Sequence, residues 1–360
     1  MPRLALLLLC SGALACGKVS RSVGLYAPPT SGAGAAGAAG AASDNQDLPP
    51  DLSERWPSSG CGKPLPQRAL ANGYSAWHVA QTGETLAGTD PARQNVRDFL
   101  VRAPSDYDSA RPYRVVYLLR GGCDSRGDLG DAVYDLANEG RGGDEQAVYV
   151  DVAVPQLDQN PHCYDTGTGT GSLEYEAFDR IHTQVESNYC VDNNRIFVAG
   201  YSQGGALANM WGCYFSGTPE PPRKFSPKWA IRGHAVVAGW REPNQPLPCN
   251  GPDAAFWIQE SGDLESGMYF GSNPAAVELA LHSDDCTGNF EDGPKQPWEP
   301  AAAIPGFKVG ECQQYSGCSA ATARNHPLVF CSVDGPGGSD RADLAIPAFT
   351  AFFRSMDPAR

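Results

Sequence analysis

The sequence lacks any apolar run long enough to cross a bilayer, for which a helix needs about 20 apolar residues. It also lacks an excess of basic residues. Its 360 residues contain 27 Lys and Arg against 41 Asp and Glu, which gives a formal net charge of −14. A surface of that sign repels phosphate groups, so we expect no nucleic-acid partner and no attachment to anionic lipid through a basic patch.

The twelve cysteines include no C-x-x-C pair and no run of Cys and His with the spacing of a zinc site. We therefore expect no metal ion and no cofactor, and we interpret the cysteines as disulfide partners in an oxidising compartment. Cys10 and Cys16 lie in the N-terminal segment, so an even number of ten remains for pairing. Connectivity does not follow from spacing, although Cys190 and Cys213 lie close enough to be a plausible pair.

The N-terminus has the pattern of an export signal. A short basic start precedes the apolar residues 4–14, a run too short for a permanent membrane span. Residues 13–15, Ala-Leu-Ala, provide small residues before a cleavage point, and Cys16 follows as it does in bacterial lipoprotein signals. Those signals usually have Leu where this chain has Ala13. We expect residues 1–15 to be an export signal, with a lipid anchor at Cys16 and free secretion both open.

The composition divides the remaining chain in two. Residues 16–59 are rich in Ala, Gly and Pro and predict a disordered tether, because they cannot bury enough apolar surface to fold. We expect residues 60–356 to form one folded domain and the protein to be a monomer. Apolar runs in this part predict strands at residues 114–119, 147–154, 195–199, 235–238, 255–258 and from 328 on. Helical spacing predicts helices at residues 173–189, 206–215, 274–281 and 346–353.

Strands that alternate with helices predict an α/β fold, with a mostly parallel central sheet covered by helices on both faces. In such sheets ligands bind beyond the carboxyl ends of the strands. Candidate functional residues are therefore those that follow a predicted strand.

One such segment is Gly200-Tyr201-Ser202-Gln203-Gly204, which has the form G-x-S-x-G. It follows a predicted strand and precedes a predicted helix, which is the context of a nucleophile elbow. Glycines permit the sharp turn that lifts the Ser202 hydroxyl to the edge of the sheet. The Gln203 N–H, at the start of the helix, then faces a developing oxyanion. The alternative is an N-cap serine after a tight turn.

The residues around this motif resemble a known family. Residues 59–63 read Ser-Gly-Cys-Gly-Lys, residues 189–197 read Tyr-Cys-Val-Asp-Asn-Asn-Arg-Ile-Phe ahead of the motif, and Cys213 follows it. Together they resemble secreted feruloyl esterases and the polyhydroxybutyrate-depolymerase-like esterases, over about residues 61–353. The resemblance implies an α/β-hydrolase fold, a Ser–Asp–His triad, and ester substrates such as plant-wall phenolic esters, acetyl esters or short polyesters.

The resemblance also implies roles for particular residues. Residues 257–263 match the family's strand followed by a Gly-Asp turn, so Asp263 is expected to orient the catalytic base, with Glu260 and Asp253 as alternatives. Backbone N–H groups of the loop after the strand at residues 114–119, at Gly122 and Cys123, are expected to complete the oxyanion hole. The family usually has His-Gly at the start of that loop and this chain has Arg120-Gly121, a change that backbone donors tolerate.

The catalytic histidine is where the pattern breaks. The family carries it in the loop after the last strand, and residues 333–341 contain none. Gly338 stands in its place, or Arg341 if the loop shifts, and neither can accept a proton at neutral pH. His162 is the candidate substitute, because it follows the predicted strand at residues 147–154 at the carboxyl edge. The alternative for His162 is a loop histidine beside a disulfide.

The other histidines are expected away from the nucleophile, in helices, before strands or in the less defined N-terminal part: His78, His182, His234, His282 and His326.

These observations leave two hypotheses for the function. The first is a secreted or surface-anchored serine carboxylic-ester hydrolase that acts on an ester-bearing polysaccharide, a phenolic ester or a polyester. The second is a catalytically impaired homologue that binds glycan or ester ligands at the cell surface, since Ser202 without a base is a weak nucleophile.

Overall fold

The computed structural model describes most of the chain from Glu54 to Met356. The described residues are 54–66, 74–80, 96–121, 147–153, 164, 166, 172–217, 229–239, 249, 251–262, 272–290, 296–319, 326–335 and 342–356. The predicted export signal at residues 1–15 lies outside them, as does nearly all of the predicted tether. In the part of the chain that is described, no helix combines the length and the hydropathy of a membrane span.

The described residues form one sheet and the helices that follow its strands. The strands are β1 Tyr74–Ala80, β2 Val96–Arg102, β3 Tyr113–Leu119, β4 Ala147–Val152, β5 Val191–Tyr201, β6 Ile231–Val237, β7 Ala255–Glu260, β8 Gln296–Pro297, β9 Cys312–Gln314 and β10 Leu328–Val333. The helices are α1 Ser172–Asn188, α2 Gln203–Phe215, α3 Ser272–Ser283 and α4 Ala342–Ser355, with a short 3-10 helix at Glu299–Ala303.

The ten described strands lie in the order β1-β2-β4-β3-β5-β6-β7-β10-β9-β8. Neighbours from β4 through β10 are parallel, whereas β1, β2, β8 and β9 join antiparallel at the two sides. In this register Leu119 pairs with Gly200, and Val333 pairs with Glu260. The carboxyl ends of the parallel strands therefore meet along one edge of the sheet, as the sequence predicts.

Both faces of the sheet are covered, which confirms the predicted fold class. Strands β3 and β4 are buried along their whole length, and alternate residues contribute to two separate apolar cores. Helix α1 turns Phe178 and Ile181 toward one core, and helix α4 turns Phe349 and Phe352 toward the other. Strands buried on both faces explain why the sequence shows continuous apolar runs rather than alternation.

Four disulfides connect described cysteines, and they correct one expectation. Cys190 and Cys213 are not partners. Cys190 pairs with Cys61 across 129 residues and Cys213 pairs with Cys249 across 36. Spacing misled here because each of the two cysteines pairs with a segment that is distant in the sequence, and such pairing depends on tertiary packing rather than on closeness along the chain. The remaining described pairs are Cys286–Cys318 and Cys312–Cys331.

Candidate active site

The backbone at Ser202 has the shape of a nucleophile elbow. Ser202 lies between β5 and α2 with φ 52° and ψ −119°, a conformation that a residue with a side chain rarely adopts. The glycines around it leave no room for larger residues. A Cβ at Gly200 would overlap the Gly204 carbonyl, and one at Gly204 would overlap the carbonyls of Leu119 and Arg120. Only glycine permits this close approach of strand, turn and helix.

The Ser202 hydroxyl is not used to cap the helix. Ser202 is the N-cap residue of α2 by position, but its side chain makes no hydrogen bond to the first N–H groups of the helix, so helix capping does not account for the hydroxyl. The Ser202 backbone is held instead, because its N–H donates to the Val237 carbonyl at 2.9 Å and its carbonyl accepts the Ala206 N–H at 3.0 Å. The half-buried side chain therefore stands on a fixed backbone at the carboxyl edge.

The turn after β3 lies directly against this elbow. A Cβ at Gly121 would overlap the Tyr201 ring and stand 3.2 Å from the Ser202 Cβ. The loop expected to supply oxyanion donors thus begins beside the serine. Gly122 and Cys123, the two residues predicted to donate, lie outside the described residues. The Gln203 N–H is at the first position of α2, where helix N–H groups lack partners within the helix.

Buried hydrogen bonds that the sequence does not predict connect these turns. The Gln203 side chain bonds both backbone groups of Tyr164, accepting its N–H and donating to its carbonyl, each at 3.1 Å. The Tyr164 phenol accepts the Arg120 N–H at 3.2 Å and donates to the Val152 carbonyl at 2.8 Å. The Arg120 guanidinium binds the Asp151 carboxylate through two nitrogens, at 2.6 and 3.2 Å.

The ends of β7 and β10 meet where the acid and the base are expected. The Gly262 N–H donates to the Gly335 carbonyl at 2.9 Å, so the turn that precedes Asp263 is fixed to the loop that follows β10. The Glu260 carboxylate is buried at this junction, where a Cβ at Gly335 would overlap it. Asp263 itself, and Gly338 in the loop, lie outside the described residues.

Asp253, the other alternative acid, lies at the opposite edge. It precedes β7, and its Oδ1 is 3.1 Å from Nδ1 of His234. His234 also has Nε2 at 3.2 Å from Asn209 Oδ1, so both ring nitrogens are engaged in the core. His234 pairs with Val198, four residues before Ser202, which is about 13 Å along the strand. This His–Asp pair is therefore not joined to the nucleophile.

The remaining described histidines are also distant from the serine, as predicted. His182 is fully buried between Tyr117 and Asn193, and burial lowers its pKa to about 3. His326 lies at the amino edge before β10, where burial and then the charge of Arg232 lower its pKa to about 4.

Two exposed histidines lie further out. His78 is on β1, four strands from β5, or about 19 Å away. His282 lies at the end of α3, which returns to the amino edge, since Asp284 accepts the Asp253 N–H there. His162 lies outside the described residues. Among the residues that are described, no cluster of three or more His, Cys, Asp or Glu has the arrangement of a metal site.

Comparison with known proteins identifies the class. The chain is 29% identical over 300 residues to a probable feruloyl esterase C of Aspergillus niger, covering 82% of this chain and 87% of that one. It is 28% identical over 299 residues to feruloyl esterase C of Emericella nidulans, with 80% and 86% covered. An acetyl xylan esterase structure from Aspergillus awamori aligns with a TM-score of 0.50 at 13% identity, covering 78% of this chain and all but 1% of that one. No family model matches.

The fold and the elbow thus define an α/β-hydrolase, and its relatives place it among the carboxylic-ester hydrolases. Within that class the chain is a homologue of the feruloyl esterases, so the resemblance carried by the motif residues is confirmed.

Proposed function

We propose that this protein is an exported serine esterase that hydrolyses phenolic or acetyl esters carried by a polysaccharide. The observation that carries the proposal is the strained backbone of Ser202 at the carboxyl edge of the sheet. The Ser202 hydroxyl makes no capping hydrogen bond to α2. The substrate class comes from the names of the relatives, which are feruloyl esterases. The same reaction would also hydrolyse the ester bonds of a short polyester, which is a further candidate substrate.

In the proposed reaction the Ser202 oxygen attacks the ester carbonyl carbon while a base takes the hydroxyl proton. The carbonyl oxygen becomes an oxyanion, which accepts hydrogen bonds from the Gln203 N–H and from the N–H groups of Gly122 and Cys123. Collapse of this intermediate releases the alcohol, which takes the proton from the base, and leaves an acyl-serine. Water then attacks the acyl group by the same path and releases the acid.

We propose His162 as the base, by elimination and by position. The other five histidines are placed by the structure away from Ser202. Tyr164, two residues after His162, has its backbone bonded to Gln203, the neighbour of Ser202. Two residues of extended chain span at most about 7 Å, which bounds the distance between His162 and Tyr164 and motivates the assignment.

We propose Asp263 as the acid that orients this base. It follows Gly262 at the carboxyl edge, and the hydrogen bond from Gly262 to Gly335 supports the position. Glu260 is the alternative, because its carboxylate is buried at the same junction.

Export is supported by the four disulfides of the described residues, which form in oxidising compartments. The N-terminal signal pattern agrees with export to the cell envelope or beyond. In this proposal the exported protein is either free or anchored to the membrane by a lipid on Cys16.

The test measures hydrolysis of two esters by wild-type protein and by two variants. Purified wild-type protein should release ferulate from methyl ferulate or acetate from 4-nitrophenyl acetate, and Ser202→Ala should lose about 10³-fold or more in kcat. Ser187→Ala is the matched control, since its hydroxyl donates to the Thr183 carbonyl within α1. Retention of activity in Ser202→Ala, or no turnover of either ester by folded wild-type protein, would reject the proposal.

A further inference from the structure

Four side chains beside the Ser202 turn form a continuous buried chain that the reaction steps above do not use. They are Asp151, Arg120, Tyr164 and Gln203, with relative exposures of 1%, 8%, 2% and 9%. They come from β4, the turn after β3, the loop after β4 and the start of α2. The chain therefore joins the two segments that carry the proposed oxyanion donors.

The Asp151–Arg120 pair fixes the beginning of the β3 turn. Both carboxylate oxygens are used, with Nη2 at 2.6 Å and Nε at 3.2 Å, a planar fork that permits little rotation. A buried ion pair often stabilises a fold no more than apolar residues of equal volume would. Its directional geometry, rather than its contribution to stability, distinguishes it from an apolar contact.

Tyr164 connects that turn to the sheet. Its phenol accepts the Arg120 N–H and donates to the Val152 carbonyl. Burial raises the pKa of Tyr164 well above the ordinary value for tyrosine, so the phenol remains protonated and keeps its donor at any pH where the enzyme works. The Arg120 backbone, one residue before Gly121, is thereby held at a fixed distance from β4.

Gln203 connects the same tyrosine to the nucleophile. Its amide forms two hydrogen bonds with the backbone of Tyr164, which fixes the orientation of the side chain at the first residue of α2. The Gln203 backbone N–H is a proposed oxyanion donor. Gln203 therefore supplies a donor of the oxyanion hole through its backbone and fixes the position of that donor through its side chain.

We propose that Asp151, Arg120, Tyr164 and the Gln203 side chain are positioning residues, which hold the two halves of the oxyanion hole in register. This inference rests on the proposed function, since it assumes that the hole forms between Gln203 and the turn at Gly121. A donor displaced by about 1 Å from the oxyanion costs on the order of 10²-fold in rate. Loss of one link should therefore reduce transition-state binding more than substrate binding.

The experiment measures Tyr164→Phe and Arg120→Lys on a soluble aryl ester. Tyr164→Phe removes only the phenol oxygen, and we expect kcat to fall about 10- to 100-fold with KM within about two-fold of wild type. Inhibition by phenylboronic acid, which forms a tetrahedral adduct on serine, should weaken in parallel. Inhibition by ferulate, a trigonal product, should not. Arg120→Lys should show the same pattern to a smaller extent.

Tyr117→Phe is the matched control, because the Tyr117 phenol is equally buried and bonds His182 at 2.7 Å on the face of the sheet near α1. It should lower the melting temperature without altering kcat. The inference is overturned if Tyr164→Phe keeps the kcat of wild type, or if KM and ferulate binding change as much as kcat. If Tyr164→Phe does not fold, the same comparison of kcat with KM and ferulate binding in Arg120→Lys tests the inference.

The two proposals fail in different ways. Wild-type protein that turns over no ester overturns the proposed function and this inference together. Active wild-type protein with an unaffected Tyr164→Phe overturns this inference alone.

Discussion

At Ser202 the backbone adopts a conformation that a residue with a side chain keeps only where the surrounding structure enforces it, at a cost of about 1–3 kcal/mol. The enforcement is visible in Gly200 and Gly204, which pack backbone against backbone on both sides of the serine. Such strain is found where a side chain must project from a sharp turn. It supports a functional rather than a structural role for the hydroxyl.

His162 is the residue on which the proposed triad depends. We expect His162→Ala to lower kcat/KM by about 10²- to 10⁴-fold, the range that a general base contributes, and to abolish the rise of kcat/KM with pH that a titrating imidazole produces. The pH profile of ester hydrolysis is the measurement, and His282→Ala is the control because His282 is exposed at the end of α3. An unchanged pH profile in His162→Ala would assign the base elsewhere.

The sequence predicted a sharp turn at Ser202 with Gln203 at the start of a helix, because a local motif encodes both. It did not predict the partners of the Gln203 side chain, since Tyr164 comes from a loop 39 residues earlier in the chain. The sequence predicts no role for the Arg120 side chain. Its pairing with Asp151 depends on the adjacency of β3 and β4 in the sheet, which no local pattern records.

At the scale of elements, the sequence predicted all six described parallel strands, although β5 and β6 begin four residues earlier than predicted, and it predicted none of the described antiparallel strands. Strands β3 and β4 are continuous apolar runs, and the sequence placed their starts within one residue. Strands β1 and β2 contain exposed polar residues such as His78 and Asp98, so they lack such a run. Helix α2 begins at Gln203, three residues before the predicted start, because Gly204 and Gly205 are helical rather than part of the turn.

The junction of α3 with β7 predicts a dependence of stability on pH. Asp284 follows α3, is fully buried, and accepts the Asp253 N–H at 2.7 Å. Burial raises the pKa of Asp284 to about 8 from an ordinary 3.8. The folded state then binds a proton that the unfolded chain has lost, so this contribution to stability declines as the pH rises toward 8.

Above pH 6.5 this effect can be separated from the buried histidines. The lowered pKa values of His182 and His326 favour folding increasingly up to their ordinary value of 6.5 and no further. We therefore expect the free energy of unfolding, measured in urea, to fall between pH 6.5 and 8 in wild type. In Asp284→Asn, which keeps an acceptor for the Asp253 N–H, the fall should be smaller. Equal slopes in both proteins would mean that Asp284 is ionised in the fold.

At the scale of the whole molecule, two apolar cores, four disulfides among the described residues and a sheet of parallel central strands form one scaffold behind the elbow. The sequence predicted the class of this scaffold from alternating runs and predicted that disulfides exist. It did not predict which cysteines pair, because pairing depends on how distant segments pack. Cys61 and Cys190 are an example, joined across 129 residues.

The central claim is that Ser202 is an activated nucleophile. The most direct test is the intact mass of folded, oxidised protein after treatment with an alkyl fluorophosphonate. The account predicts rapid addition of one phosphonyl group to wild type and none to Ser202→Ala under the same conditions. An unmodified wild type, or equal modification of both proteins, would contradict it.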